Sequence, residues 1–237
     1  GADPRASILT QNDFRGGIGW NRGLDPGSVD RAWWTNCQTR FKGHVLLPRK
    51  PTAATNDHVG ELKNITEFQV TGEASSNIYA LFADGDLYKY QNTNDEWPAS
   101  AAFNLTNPTS ETIVFTDSTP TSYLIFAQGD TGYSYTTNGT SATNKTASGD
   151  KVDYFAVWHG TLWGISKAGV LKNWASGPTN TPTLKAQIPL PNGYVTSLMV
   201  YRDAGGSPII YAATKVGLWA YDETNNRWEE TELRTPS

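Results

Sequence analysis

Three stretches of the chain repeat one another, and that repeat constrains the fold more than any other feature. "IYALFADGDLYKY" (Ile78–Tyr90), "LWGISKAGVLKNW" (Leu162–Trp174) and "IYAATKVGLWAY" (Ile210–Tyr221) each pass from an apolar run through a glycine turn into a second alternating run. Gly85 falls on Gly169, Leu87 on Leu171 and Tyr90 on Trp174; the last copy supplies Gly217, Leu218 and Tyr221 after one deletion. Thr93, Asn94 and Trp97 are matched further on by Thr224, Asn225 and Trp228. A weaker copy, "FAQGDTGYSY" (Phe126–Tyr135), contributes Gly129, so the turn glycines recur every 40 to 48 residues. That period, with several short strands per unit, is the mark of propeller blades.

The rest of each unit agrees. "ITEFQV", "TIVFT", "DYFAVW" and "TSLMVY" precede the hairpins, and the more polar "EWPASAAF", "TSATNKTA", "TPTLKAQI" and "RWEETEL" follow them. Four strands per unit result, with a polar last strand suited to an outer edge. A single blade cannot bury both faces, so neighbours must stack, and the same solution is written repeatedly. The expected fold is all-β: a propeller of about four four-stranded antiparallel blades over residues 62–237, preceded by an extended N-terminal arm over residues 1–61. Four blades can close a ring; the other possibility is further blades in a longer chain.

Composition supports strands. Aromatics reach 12% of 237 residues, including nine Trp and eleven Tyr, with one Met. Helix is expected over less than about a tenth of the chain, since strong helix formers are sparse. The arm is rich in Gly, Pro and Asn, with a short helix expected from Ser28 to Trp34. Asp84-Gly85 and Asn138-Gly139 are expected to be tight hairpin turns with positive φ at the glycines.

Several function classes lose support. The net charge is −4 and no basic block occurs, which argues against sequence-specific nucleic-acid binding. No apolar run approaches the length of a membrane span. Cys37 has no second cysteine to pair with and is read as a buried thiol. "GGIG" (Gly16–Gly19) lacks the strand and helix of a dinucleotide site, and "DGD" (Asp84–Asp86) is explained by its turn better than by calcium. No zinc, P-loop or nucleophile-elbow pattern is present, so a non-enzymatic protein without cofactor is expected.

Two groups of residues are candidate contacts. Trp20, Trp33, Trp34, Arg40 and Arg49 of the arm, with Lys50, are expected to meet another subunit, because three tryptophans need cover. Trp97, Trp174 and Trp228 either pack between blades or stack on sugar rings, and packing is the simpler role.

The arrangement of "DFRGGIGWNRGLDP", then "TNCQTRFKG", then "LLPRKPT", then "LYKY"-type repeats resembles β-propeller tail proteins of tailed bacteriophages, of the nozzle or tail-tip/adaptor type. The resemblance implies a structural virion protein located in the tail. Its partners would be copies of itself or other virion proteins, with the arm on a neighbour. The alternative is a small secreted or extracellular lectin that binds a host-surface glycan at several blades.

Overall fold

The computed structural model describes residues 38–40, 44–46, 60–91, 97–202 and 205–234. The chain divides into two compact units, Gly1–Ala54 and Thr55–Ser237. In the first, β1 (Gln38–Arg40) pairs antiparallel with β2 (His44–Leu46). The expected helix from Ser28 to Trp34 lies outside the described residues.

The second unit is built of four antiparallel sheets, each of four strands in sequence order. Blade 1 comprises β3 (Leu62–Phe68), β4 (Asn77–Phe82), β5 (Asp86–Lys89) and β6 (Phe103–Asn104). Blade 2 comprises β7 (Thr112–Thr116), β8 (Ser122–Ala127), β9 (Tyr133–Thr136) and β10 (Thr143–Lys145). Blade 3 comprises β11 (Tyr154–Trp158), β12 (Thr161–Ile165), β13 (Val170–Trp174) and β14 (Thr183–Gln187). Blade 4 comprises β15 (Val195–Arg202), β16 (Pro208–Thr214), β17 (Gly217–Asp222) and β18 (Arg227–Arg234). Among the described residues the helical content is a single 3-10 turn, Ser148–Asp150. The blades are those of a β-propeller, as the repeat predicts.

The turn glycines need one correction. Gly85 has φ 97°, and a Cβ there would lie 1.9 Å from the Leu105 carbonyl oxygen. In blade 2 the residue in that position is Gly132, not Gly129: its φ is 114° and its Cβ would lie 1.9 Å from the Lys145 carbonyl oxygen. Both glycines directly precede the third strand of their blade and let the fourth strand cross close behind the turn. Gly217 opens β17 without a positive φ, because the one-residue deletion shortens that turn to Lys215-Val216. Gly139 does have φ 68°, yet it sits in a loop from Thr136 to Thr143 rather than a tight turn, against the Tyr79 ring. The tight two-residue turn with positive φ at both positions is His159-Gly160, between β11 and β12.

Three apolar cores join consecutive blades. Phe68, Tyr79, Leu81, Leu87 and Leu105 of blade 1 and its connector meet Leu124 and Phe126 of blade 2. Tyr123, Ile125 and Tyr133 of blade 2 meet Phe155, Leu162 and Trp174 of blade 3. Trp163, Ile165 and Leu171 of blade 3 meet Leu198, Ile210, Tyr221 and Trp228 of blade 4. Blades 2 and 3 therefore bury both faces, since successive side chains on a strand point to opposite sides. Among the described residues no apolar core joins blade 4 to blade 1.

Candidate functional site

Two features of the second unit lie outside its three apolar cores. The first is a cleft of about 590 Å³ where turns of blades 2 and 3 converge. The β8–β9 turn brings Gly129 and Asp130, and the connector from β10 to β11 brings Ser148, Gly149, Lys151 and Asp153. The β12–β13 turn brings Ser166 and Lys167, and β13 brings Lys172.

Lys172 is the fixed element of that cleft. It is only 3% exposed, and its Nζ donates to the carbonyl oxygens of Gly149 and Lys151, both at 2.6 Å. It points toward blade 2 because it shares a strand face with Trp174, whose ring lies in the core between blades 2 and 3. Burial pushes its ammonium below the ordinary lysine value; Asp150 and Asp153 act in the opposite sense, and Lys151 adds to the depression. Asp153 is 5% exposed; its carboxylate accepts the Lys167 backbone N–H at 2.7 Å and lies 3.7 Å from Lys167 Nζ. Lys151 Nζ is 3.8 Å from Asp130. Those two ion pairs are long and half-exposed, so each adds little to stability. Nearby, Glu111 accepts the Phe155 N–H at 3.1 Å, and burial raises its carboxyl above the ordinary value despite that bond.

The second feature is the face of blade 4 turned away from blade 3. Strand register places Met199, Tyr201, Ile209, Tyr211, Leu218 and Ala220 there, with Glu229 of the outer strand beside Ala220. Tyr201 is 72% exposed and Met199 39%. The repeat accounts for this composition. Leu87 points forward to blade 2 and Leu171 forward to blade 4, while Trp174 points back to blade 2 and Tyr221 back to blade 3. Leu218 occupies the same forward position on blade 4, and Tyr90, opposite Ile78, occupies the backward position on blade 1. Blade 2 departs from the pattern, using Tyr133 forward and Phe126 backward.

The residues singled out in the sequence are distributed differently. Trp174 is fully buried and donates its Nε1–H to the Tyr133 hydroxyl at 2.9 Å. Trp228 is buried against Tyr221. Both rings are inter-blade packing, with no face open to a sugar. Trp97 is half-buried and meets Tyr90 edge-on at 5.1 Å. Asp84 and Asp86 hold their own turn: Asp84 accepts the Asp86 N–H, and Asp86 accepts from Asn104. Arg40 ends β1, and Trp20, Trp33, Trp34, Cys37, Arg49 and Lys50 lie outside the described residues. Lys151, Asp153, Lys167 and Lys172 escaped the sequence reading. Their one signal was the lysine on each side of the Ala168-Gly169 turn in an otherwise apolar hairpin.

No family model matches the chain, and no curated protein matches it. Solved structures do. The extracellular domain of a hybrid two component system from B. thetaiotaomicron is similar over 81% of this chain and 26% of that one, at 13% identity and a TM-score of 0.51. The likeness is one of fold. The WD40 β-propeller domain of Doa1 is similar over 74% of this chain and 55% of that one, at 13% identity and a TM-score of 0.47. The chain thus spans about a quarter of the first structure and about half of the second.

Proposed function

We propose that the chain is a non-catalytic structural propeller that works by joining a neighbouring subunit, as a tail component of the phage type that its arm and repeats together resemble. One observation carries the assembly reading. The repeat delivers Leu218, with Tyr211, Met199 and Tyr201, to the side of blade 4 where blades 1 and 3 hold the next blade. An apolar sheet face of that kind is stabilised by cover, each large side chain gaining about 1.5–3 kcal/mol when fully buried. A neighbouring copy presents the matching surface, the backward face of its own blade 1. The assignment to a virion tail rests on the resemblance carried by the arm followed by the propeller repeats, and it carries the expectation that the arm adds a second contact.

Light scattering on the wild type and on a Met199→Glu/Tyr201→Glu variant tests the assembly. The expected result is a wild-type particle of more than one chain at micromolar concentration and a folded, monomeric variant. A wild type that is monodisperse as a single chain overturns the reading, and if that monomer also binds glycans a free glycan-binding propeller takes its place. Deleting residues 1–61 separates the arm's share from that of blade 4.

A further inference from the structure

The cleft between blades 2 and 3 is lined by none of the residues of the three apolar cores, and its chemistry differs from theirs. The chain carries a net charge of −4. The cleft lining holds Lys151, Lys167 and Lys172 against Asp130 and Asp153, an excess of one cation in the lining itself, with buried Asp150 behind Lys172. A cationic concavity on an acidic protein focuses its field on anions and draws them in. Its volume, about 590 Å³, lies within the range of small-molecule sites and leaves room for more than one sugar ring.

The lining also selects among anions. No aromatic ring is among the residues that form it. A sugar ring therefore finds no flat face to stack on, and a neutral saccharide has only hydrogen bonds to hold it. Ser148, Ser166, Thr109 and Asn192 supply polar side chains around the lysines. Lys172 and Asp153, both buried, tie the connector Ser148–Asp153 to the β12–β13 hairpin, so the cleft walls are set before a ligand arrives. Lys151 and Lys167 remain half-exposed, with their carboxylate partners at 3.8 and 3.7 Å. Those distances exceed a charge-assisted hydrogen bond, so a ligand carboxylate can approach more closely than the present partners.

We propose that this cleft binds a small polyhydroxylated carboxylate, an acidic sugar or a short saccharide ending in one, with Lys151 and Lys167 meeting the carboxylate. The hydroxyls are met by Ser148, Ser166 and Asn192. The site does not depend on the assembly at blade 4, and binding is expected equally in the monomeric Met199→Glu/Tyr201→Glu variant.

Ligand-observed NMR and calorimetry with glucuronate, glucose and inorganic sulfate at matched ionic strength test it. Glucuronate is expected to bind in the millimolar range or tighter, to weaken with added salt, and to be displaced by neither glucose nor sulfate at equal concentration. Lys151→Gln/Lys167→Gln is expected to keep the wild-type melting temperature and bind glucuronate about tenfold more weakly. Absence of glucuronate binding overturns the proposal. So does sulfate binding as tight as glucuronate, which makes the site a simple anion trap, and so does an unaltered affinity in the double variant.

Discussion

At the scale of single residues, two kinds of glycine can be told apart. Gly85 and Gly193 have positive φ of 97° and 84°. A Cβ on Gly85 meets the Leu105 carbonyl oxygen, whereas a Cβ on Gly193 meets nothing within 4 Å. Gly193→Ala is therefore expected to lose only the backbone preference, about 1 kcal/mol. Gly85→Ala adds a backbone collision and is expected to lose several times as much, read as the difference in urea midpoints. Equal losses at the two sites would remove the close crossing of β6 behind the turn as the reason for glycine. Glu111 gives a pH signature. Burial raises its carboxyl above the ordinary value of 4.5, so ionising it costs more in the folded chain than in the unfolded one. Below 4.5 both states carry the proton and the cost vanishes. As pH rises through the raised value the cost appears in full. Glu111→Gln is expected to be more stable than wild type at neutral pH, with the gap closing as acid is added. A gap that widens in acid would show that the Phe155 N–H bond outweighs burial.

At the scale of elements, the blades differ in how completely they are enclosed. β8 and β12 lie in blades with an apolar core on each face, and β16 has one on a single face. Opening free energy follows such enclosure. In the Met199→Glu/Tyr201→Glu monomer, hydrogen exchange is expected to be slowest in β8 and β12, faster in β16, and fastest in β6 and β10, which have two and three residues. Uniform protection across blades would mean that the four sheets open as one body. The four-strand pattern was legible because the alternation of apolar residues and the glycine turns are local signals. The register of blade 2 was not legible, because "GDTG" offers two glycines and only the path of β10 past Gly132 decides between them. The cleft was not legible either. A lysine between Leu171 and Asn173 reads as an outward residue until the connector from blade 2 is seen to supply the carbonyls that receive it. For Trp174 and Trp228 the sequence favours packing and leaves a ligand platform open; burial decides for packing.

At the scale of the whole repeat, the cores between blades 2 and 3 and between blades 3 and 4 are rich in rings. Trp158, Trp163, Tyr221 and Trp228 form one continuous aromatic contact series, and Tyr133, Phe155 and Trp174 another. Large rings fill the wedge between twisted sheets with few rotatable bonds, which suits Trp158, Trp163, Trp174 and Trp228 to these cores. The leucine that points forward and the ring that points back have one more consequence. They give the stack a direction, like boards milled with a tongue on one edge and a groove on the other. In the proposed assembly the forward face of blade 4 meets the backward face of the next copy's blade 1, so that joint runs head to tail and not two-fold. Growth through such joints stops only when the row bends round to meet its own start, or when a piece with a groove and no tongue is fitted to the end. A single detached blade of the right edge would act as that stopper.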